Sequence, residues 1–362
     1  MNKEVIRKRI RAVRRELKKR GIDGLILTKP ANVTYTTGFL GDDSWALITK
    51  GGVYLLTDSR YIEQAQKECS CSKIIQHTSS LAEAVANLAK KLKSAQTVAI
   101  EKSASLAQFE SLKKHVKARI KTAANIIETV RSVKDSSEIA AIKVAASKSA
   151  QALRQTLPYI KPCTTESELA GMLDFQIRRL GATNSFDTIV AFGPNASRPH
   201  HQPGRRKLKS KDTVLLDFGA RYKGYCSDIT RCFVLGRPSK FYLKVYDVVQ
   251  QAQAAAMKMV KAGAKVTGVD AAAREVIRKS DLPVYGHGTG HGFGLEIHES
   301  PFLKAKSSEK LKAGQVITIE PGIYLPGKLG VRIEDDVLVT ETGYRILTRS
   351  CPHSPLLPGS KS

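Results

Sequence analysis

Two stretches of this chain, LKSKDTVLLDFGA from Leu208 and LKAGQVITIEPGI from Leu311, align without a gap. Each opens on Leu-Lys, runs through an apolar strand-like segment, and reaches an acid at its tenth position. That acid is Asp217 in the first copy and Glu320 in the second, and a glycine follows two residues later in both. Internal similarity of this kind marks repeated structural units. The chain must therefore build two related halves, each bringing an acidic strand to a shared centre.

Both strands continue into a turn and return. A hairpin centred between Tyr222 and Lys223 sets Asp217 opposite Asp228, and one centred on Gly327 sets Glu320 opposite Glu334. Directly opposed residues have Cβ atoms about 4.5–5.5 Å apart. Carboxylates that close, flanked by LLDFG and VITIE, do not both stay charged without a proton or a cation between them. Four unrelated surface acids are the alternative, and the repeat argues against it. Four carboxylates with one imidazole suit two divalent cations bridged by carboxylate oxygens and a water.

The imidazole has obvious sources. GHGTGHGFGLEIHESP, from Gly286, carries His287, His291 and His298 among five glycines. His287-x3-His291 matches the spacing of a helical zinc pair, but glycines at 286, 288, 290, 292 and 294 exclude a helix. The histidines then act from a loop or strand whose glycines keep the backbone open, with one or two of them on metal and the rest free for substrate. His200, in NASRPHHQPGRR, reads in isolation as a loop histidine.

Upstream of Glu128, short β-branched runs such as GLILT, WALIT and TVAIE alternate with helical stretches such as LAEAVANLAKKLK and LAQFESLKKHVKAR, the pattern of an α/β domain with a mixed sheet. Ile6, Ile10, Val13 and Leu17 place an amphipathic helix at the start. A polar connector, ETVRSVKDSS, puts a boundary near residue 131. Beyond it come four helical stretches and many strands with glycine-rich turns, an α+β domain. The assignment is an N-terminal α/β domain over 1–131 and a catalytic domain over 132–362.

The net charge is +26, with 24 Lys+Arg against 12 Asp+Glu in residues 1–130, so that half carries +12 and the remainder +14. The excess is spread over both halves and no nucleic-acid motif accompanies it, so no specific nucleic-acid partner is expected. No apolar run reaches the eighteen or so residues of a membrane span. The basic N-terminus lacks the apolar core of a secretory signal, and its two glutamates and few serines argue against a mitochondrial presequence. Six cysteines without CxxC pairing read as reduced thiols in a cytoplasmic protein.

The pattern PHH…LLDFGARYKGYCSDITR…GHGTGHGFGLEIHESP…ITIEPGIY…GVRIEDDVLVT closely resembles the Xaa-Pro metallopeptidases, the aminopeptidases P and prolidases. GIDGLILTKPANVTYTTGF and LLTDSRYIEQA resemble their creatinase/prolidase-type leader domain, so the resemblance spans nearly the whole chain. It implies a pita-bread catalytic domain with pseudo-two-fold symmetry and five metal ligands at Asp217, Asp228, His291, Glu320 and Glu334. Asp217 would chelate one ion, His291 and Glu320 the other, with Asp228 and Glu334 bridging. His200, His287 and His298 would meet substrate, and Arg332 would buttress the site. The implied reaction is attack on the X–Pro bond by a hydroxide bridging two metal ions, with Glu320 shuttling the proton. Manganese is the first choice of metal, cobalt, zinc and iron being compatible. Proline-containing peptides are the implied substrates and a homodimer the implied assembly. Creatinase and the histone-chaperone relatives keep the fold but lose the metal ligands; here all five are present, which argues against a catalytically inactive binding protein of this fold. Prolidases carry an arginine shortly after EIHE-x-P that meets a dipeptide's carboxylate; Phe302 stands there in this chain, which favours an aminopeptidase over a dipeptidase.

Overall fold

A computed structural model of the chain describes residues 3–92, 97–116 and 119–357. It divides between Arg131 and Ser132 into two compact units. The ends of two helical stretches read from the sequence, Lys93 and Lys117 with Ala118, lie outside the described residues. Arg119, read as the end of the second stretch, instead opens the strand Arg119–Ala123.

The first unit is built on a six-stranded sheet, ordered Lys73–Gln76, Val53–Thr57, Trp45–Thr49, Gly24–Leu27, Thr97–Glu101, Arg119–Ala123. Parallel and antiparallel pairings are mixed, as the alternation of elements predicts. The helix Lys3–Lys19 buries Ile6, Ile10, Val13 and Leu17 and turns most of its cations outward. The expected connector at 128–137 is shorter than its composition suggests. Helix Ile126–Ser132 runs through its first half, and helix Ser136–Thr156 closes the second with a capping box between Asp135 and Glu138.

The second unit displays the repeat directly. In its first half the helices Ser136–Thr156 and Glu166–Arg179 pack beside strands ordered Ile229–Val234, Thr213–Phe218, Ile189–Phe192. In its second half the helices Lys240–Lys258 and Val266–Arg278 pack beside Asp335–Val339, Val316–Ile319 and Gly290–Gly292, in the corresponding order. The acidic strand is central in both halves. Every residue of Thr213–Phe218, Ile229–Val234 and Val316–Ile319 is buried, so an acid on or beside these strands is largely withdrawn from bulk water.

The second hairpin follows the expected register. Val316 pairs with Leu338 and Gly322 with Arg332, both symmetric about Gly327, which places Glu320 across from Glu334. The first hairpin is displaced by two residues. Tyr222 pairs with Tyr225, leaving Lys223 and Gly224 as the turn, with φ of 49° and 84°. Two successive positive φ angles are the signature of a type I′ turn, whose twist matches the strands it joins. Asp217 therefore faces Thr230, and Asp228 lies diagonal to it. A slip of two keeps side chains on their face, whereas a slip of one would have reversed them.

Gly219 allows the strands to close at this point: a Cβ there would stand 1.9 Å from the Ser227 carbonyl oxygen, whereas one at Gly286 would meet nothing within 4 Å. Gly219→Ala is expected to lower stability by about 2–3 kcal/mol and Gly286→Ala to change it by less than about 0.5 kcal/mol. Urea titrations of the two variants check this.

Candidate metal centre and active site

All nine residues singled out in the sequence line one cavity of about 500 Å³ in the second unit. Asp228, His291 and Glu334 are buried and bring ligand atoms within 4.8 Å of one another. His291 Nε2 lies 3.6 Å from Asp228 Oδ2 and 3.4 Å from Glu320 Oε1. Its Nδ1 is 3.1 Å from the Gly292 carbonyl oxygen. A carbonyl only accepts, so Nδ1 carries the hydrogen and Nε2 offers a lone pair to the acids. Burial and the neighbouring His298 push the His291 pKa down to about 4, which keeps the ring neutral.

The acids are under electrostatic pressure. Burial, then Glu334 and Asp217, raises Asp228 well above the usual carboxylate range, and burial with Glu320 and Asp217 does the same to Glu334. Burial and Asp217, opposed by Arg332, leave Glu320 at about 7. Asp217 Oδ2 accepts from Arg332 Nη2 at 2.5 Å, while its Oδ1 is buried without a hydrogen-bond partner. A cluster of buried acids, an orphaned carboxylate oxygen and a neutral imidazole presenting its lone pair together fit divalent cations.

The glycines around His291 have a different task from the openness expected of them. Gly290–Gly292 is a strand between two others, and a Cβ at Gly290 would stand 2.0 Å from the Thr318 oxygen and one at Gly292 2.4 Å from that of Ser300. They admit neighbouring backbones, which brings the His291 strand against the strand that leads into Glu320.

The profile of the Creatinase/Prolidase N-terminal domain matches residues 9–133, and that of Metallopeptidase family M24 matches residues 140–341. The chain belongs to the M24 family. An uncharacterised peptidase of Bacillus subtilis, YqhT, is 40% identical over 91% of this chain and 94% of its own length. A solved Xaa-Pro dipeptidase from Bacillus anthracis is similar at 37% identity and a TM-score of 0.93, over 97% of this chain and 99% of that one. An X-Pro aminopeptidase from Thermotoga maritima is similar at 36% and 0.87, over 95% and 99%. The whole-chain coverage establishes the two-domain Xaa-Pro peptidase architecture, and membership of a metallopeptidase family implies divalent ions. No helix among the described residues is long and apolar enough to cross a membrane.

Against this M24 framework, the remaining residues divide by what holds them. Arg332 joins the halves of the site: Nη2 reaches Asp217, Nε donates to Thr230 Oγ1 at 3.0 Å, and Nη1 donates to Tyr324 Oη at 2.8 Å. Thr230 in turn donates to Glu334 at 2.6 Å. His287 sets Nδ1 against the Gly288 carbonyl at 2.7 Å and Nε2 against Tyr324 Oη at 3.0 Å, so both its nitrogens are engaged within the protein. His298 and His200 are exposed at the cavity, with the His298 ring 4.4 Å from that of His291. Thr230, Tyr324 and Asp336, whose carboxylate accepts from the Asp228 backbone N–H, did not emerge from the sequence. The run EDD at 334–336 inside an apolar strand was the available signal for Asp336. Nothing distinguished Thr230 or Tyr324.

Buried Glu166 holds the loop that carries His200. Its carboxylate accepts from Phe192 N at 2.9 Å, Asn195 Nδ2 at 2.8 Å and Gly204 N at 3.1 Å, and meets His201 Nε2 at 2.9 Å. Burial pushes this carboxyl up, but the hydrogen bonds, that of His201 foremost, leave it below its usual range. Its stabilising effect is thus complete above the ordinary carboxylate value and lost as pH falls through the depressed native one. Glu166→Gln is expected to cost about 2–3 kcal/mol at pH 7, with the difference from wild type shrinking below about pH 4. Denaturation midpoints at pH 7 and pH 3 test this; a constant difference would show that the charge is not what holds the loop.

Proposed function

We propose that the chain hydrolyses the bond preceding proline at the N-terminus of short peptides, using two divalent ions held by Asp217, Asp228, His291, Glu320 and Glu334. The observation that carries this reading is the convergence of four carboxylates in one cavity, with Asp228, Glu320 and Glu334 gathered about a neutral His291. The oxygen-rich donor set favours a hard ion, with manganese the first expectation. Bound ions would supply Lewis acidity and an acidified water.

The chain's own residues account for the rest. Glu320 Oε1, beside His291 Nε2, is placed to hold the proton released in the attack and deliver it to the leaving proline nitrogen. His298 and His200 donate to the carbonyl oxygen as it gains charge. His287, with both nitrogens engaged, fixes Tyr324 and through it Arg332. An X–Pro bond offers no N–H, so recognition falls to the proline ring. Phe186, Ile189, Ile297 and Phe302 give the cavity an apolar wall for it. Phe302 supports cleavage of peptides that continue beyond proline, since an aromatic ring does not pair with a carboxylate. Restriction to dipeptides is the second reading, and the name of the Bacillus anthracis relative favours it.

Chelation is expected to abolish hydrolysis of Ala-Pro and Ala-Pro-Ala, and manganese to restore it. Asp228→Asn is expected to lower kcat/KM about a thousand-fold or more, about 4 kcal/mol of transition-state stabilisation, and to abolish the manganese-induced rise in melting temperature. Undiminished activity after chelation, or no X–Pro cleavage with any of the four candidate metals, would overturn the reading.

A further inference from the structure

The segment that carries His287 is fastened by two residues that do not line the catalytic cavity. Helix Val266–Arg278 presents Asp270 and, one turn later, Arg274, which pair at 2.8 Å between Asp270 Oδ2 and Arg274 Nε. Each then reaches the loop. Arg274 Nη1 donates to the Tyr285 carbonyl at 2.7 Å and Nη2 to the His287 carbonyl at 2.6 Å, with the guanidinium 4.4 Å from the centre of the Tyr285 ring. Asp270 Oδ1 accepts from Thr289 Oγ1 at 2.7 Å. A hydroxyl has one hydrogen, so Thr289 Oγ1 accepts from the Tyr285 hydroxyl that lies 2.5 Å away. Asp270, Thr289 and Tyr285 are buried, so these groups have one another and not bulk water as partners.

The fastened loop meets the site at two points. The Tyr285 ring stacks on His287 with centroids 4.8 Å apart, and His287 meets Tyr324 Oη, which accepts from Arg332. The Thr289 carbonyl accepts from the backbone N–H of Glu320 at 2.9 Å. Asp270 and Arg274 themselves line a separate cavity of about 710 Å³. A planar guanidinium that bonds two carbonyls of one segment fixes its orientation as well as its distance, which a single point charge does not. We propose that Asp270 and Arg274 are positioning residues: by clamping 285–289 they set the His287 ring against Tyr324 and hold the Glu320 backbone where its carboxylate can move the proton. The role given to Glu320 rests on the X–Pro reading above; the clamp on His287 does not.

The test uses manganese-loaded protein and whichever of Ala-Pro and Ala-Pro-Ala the wild type cleaves faster. Arg274→Ala is expected to lower kcat per manganese-loaded chain about a hundred-fold, the cost of a small misplacement, with KM changed less than about three-fold. The space left by the side chain opens on the outer cavity, so guanidinium at tens of millimolar, far below denaturing concentrations, is expected to recover about ten-fold of the lost rate. Arg274→Lys keeps a charge opposite Asp270 without the fork and stays slow. Arg278→Ala, one turn further along and lining the same outer cavity, leaves both constants unchanged. A purely structural role instead lowers the melting temperature and leaves kcat per loaded chain intact. That result, or wild-type kcat in Arg274→Lys, overturns the assignment. If the wild type cleaves neither peptide, the X–Pro reading fails, and the clamp is judged by isotope-edited NMR of the metal-free, histidine-labelled protein. There the His287 ring signals, assigned with His287→Gln, shift in Arg274→Ala and return with guanidinium; unchanged signals refute the clamp.

Discussion

Like charges buried together are the constraint on which the catalytic unit depends. Asp217, Asp228, Glu320 and Glu334 are carried by or adjoin strands enclosed on both faces, and Arg332 is the buried cation set against them. Removing a carboxylate from water costs several kcal/mol, and setting it beside others adds to that cost. The scaffold meets this load in two ways. It spreads hydrogen-bond donors around the acids, Thr230 to Glu334, the Asp228 backbone to Asp336, Arg332 to Asp217. It also leaves a buried carboxylate oxygen of Asp217 and the lone pair of His291 directed at nothing but the site.

This arrangement makes rigidity a requirement. A strained cluster of acids holds its geometry only if the backbone around it is over-determined. Gly219, Gly290 and Gly292 permit that, since at each of them another backbone occupies the space of a side chain. Glu166 extends the same logic outward: a fully buried carboxylate spends its acceptors on the loop bearing His200. The histidines then separate by environment. His291 is buried and neutral, His287 is locked to Tyr324, and His298 and His200 remain exposed at the cavity.

Much of this was legible in the residues, for identifiable reasons. The repeat exposed the two halves because each needs the same helix pair and the same acidic central strand. The second hairpin could be registered by arithmetic because its turn is symmetric about Gly327. The first could not, because a type I′ turn at Lys223-Gly224 shifts the pairing by two residues while leaving every side chain on its expected face. The glycines of GHGTGHGFG pointed correctly away from a helix, but whether they served openness or close packing depended on neighbours that only folding brings near.

The sequence by itself determined the parts that periodicity and repetition encode: two domains, two related halves, and the acids and histidines that enter one cavity. These are properties of a single strand or turn, and the chain states them locally. Tertiary structure alone decided who touches whom. Thr230 rather than Asp228 opposes Asp217, Tyr324 ties His287 to Arg332, and Asp336 accepts from the Asp228 backbone. Such contacts join residues far apart in the chain, and their identity is fixed by register, burial and charge only once the sheets have closed.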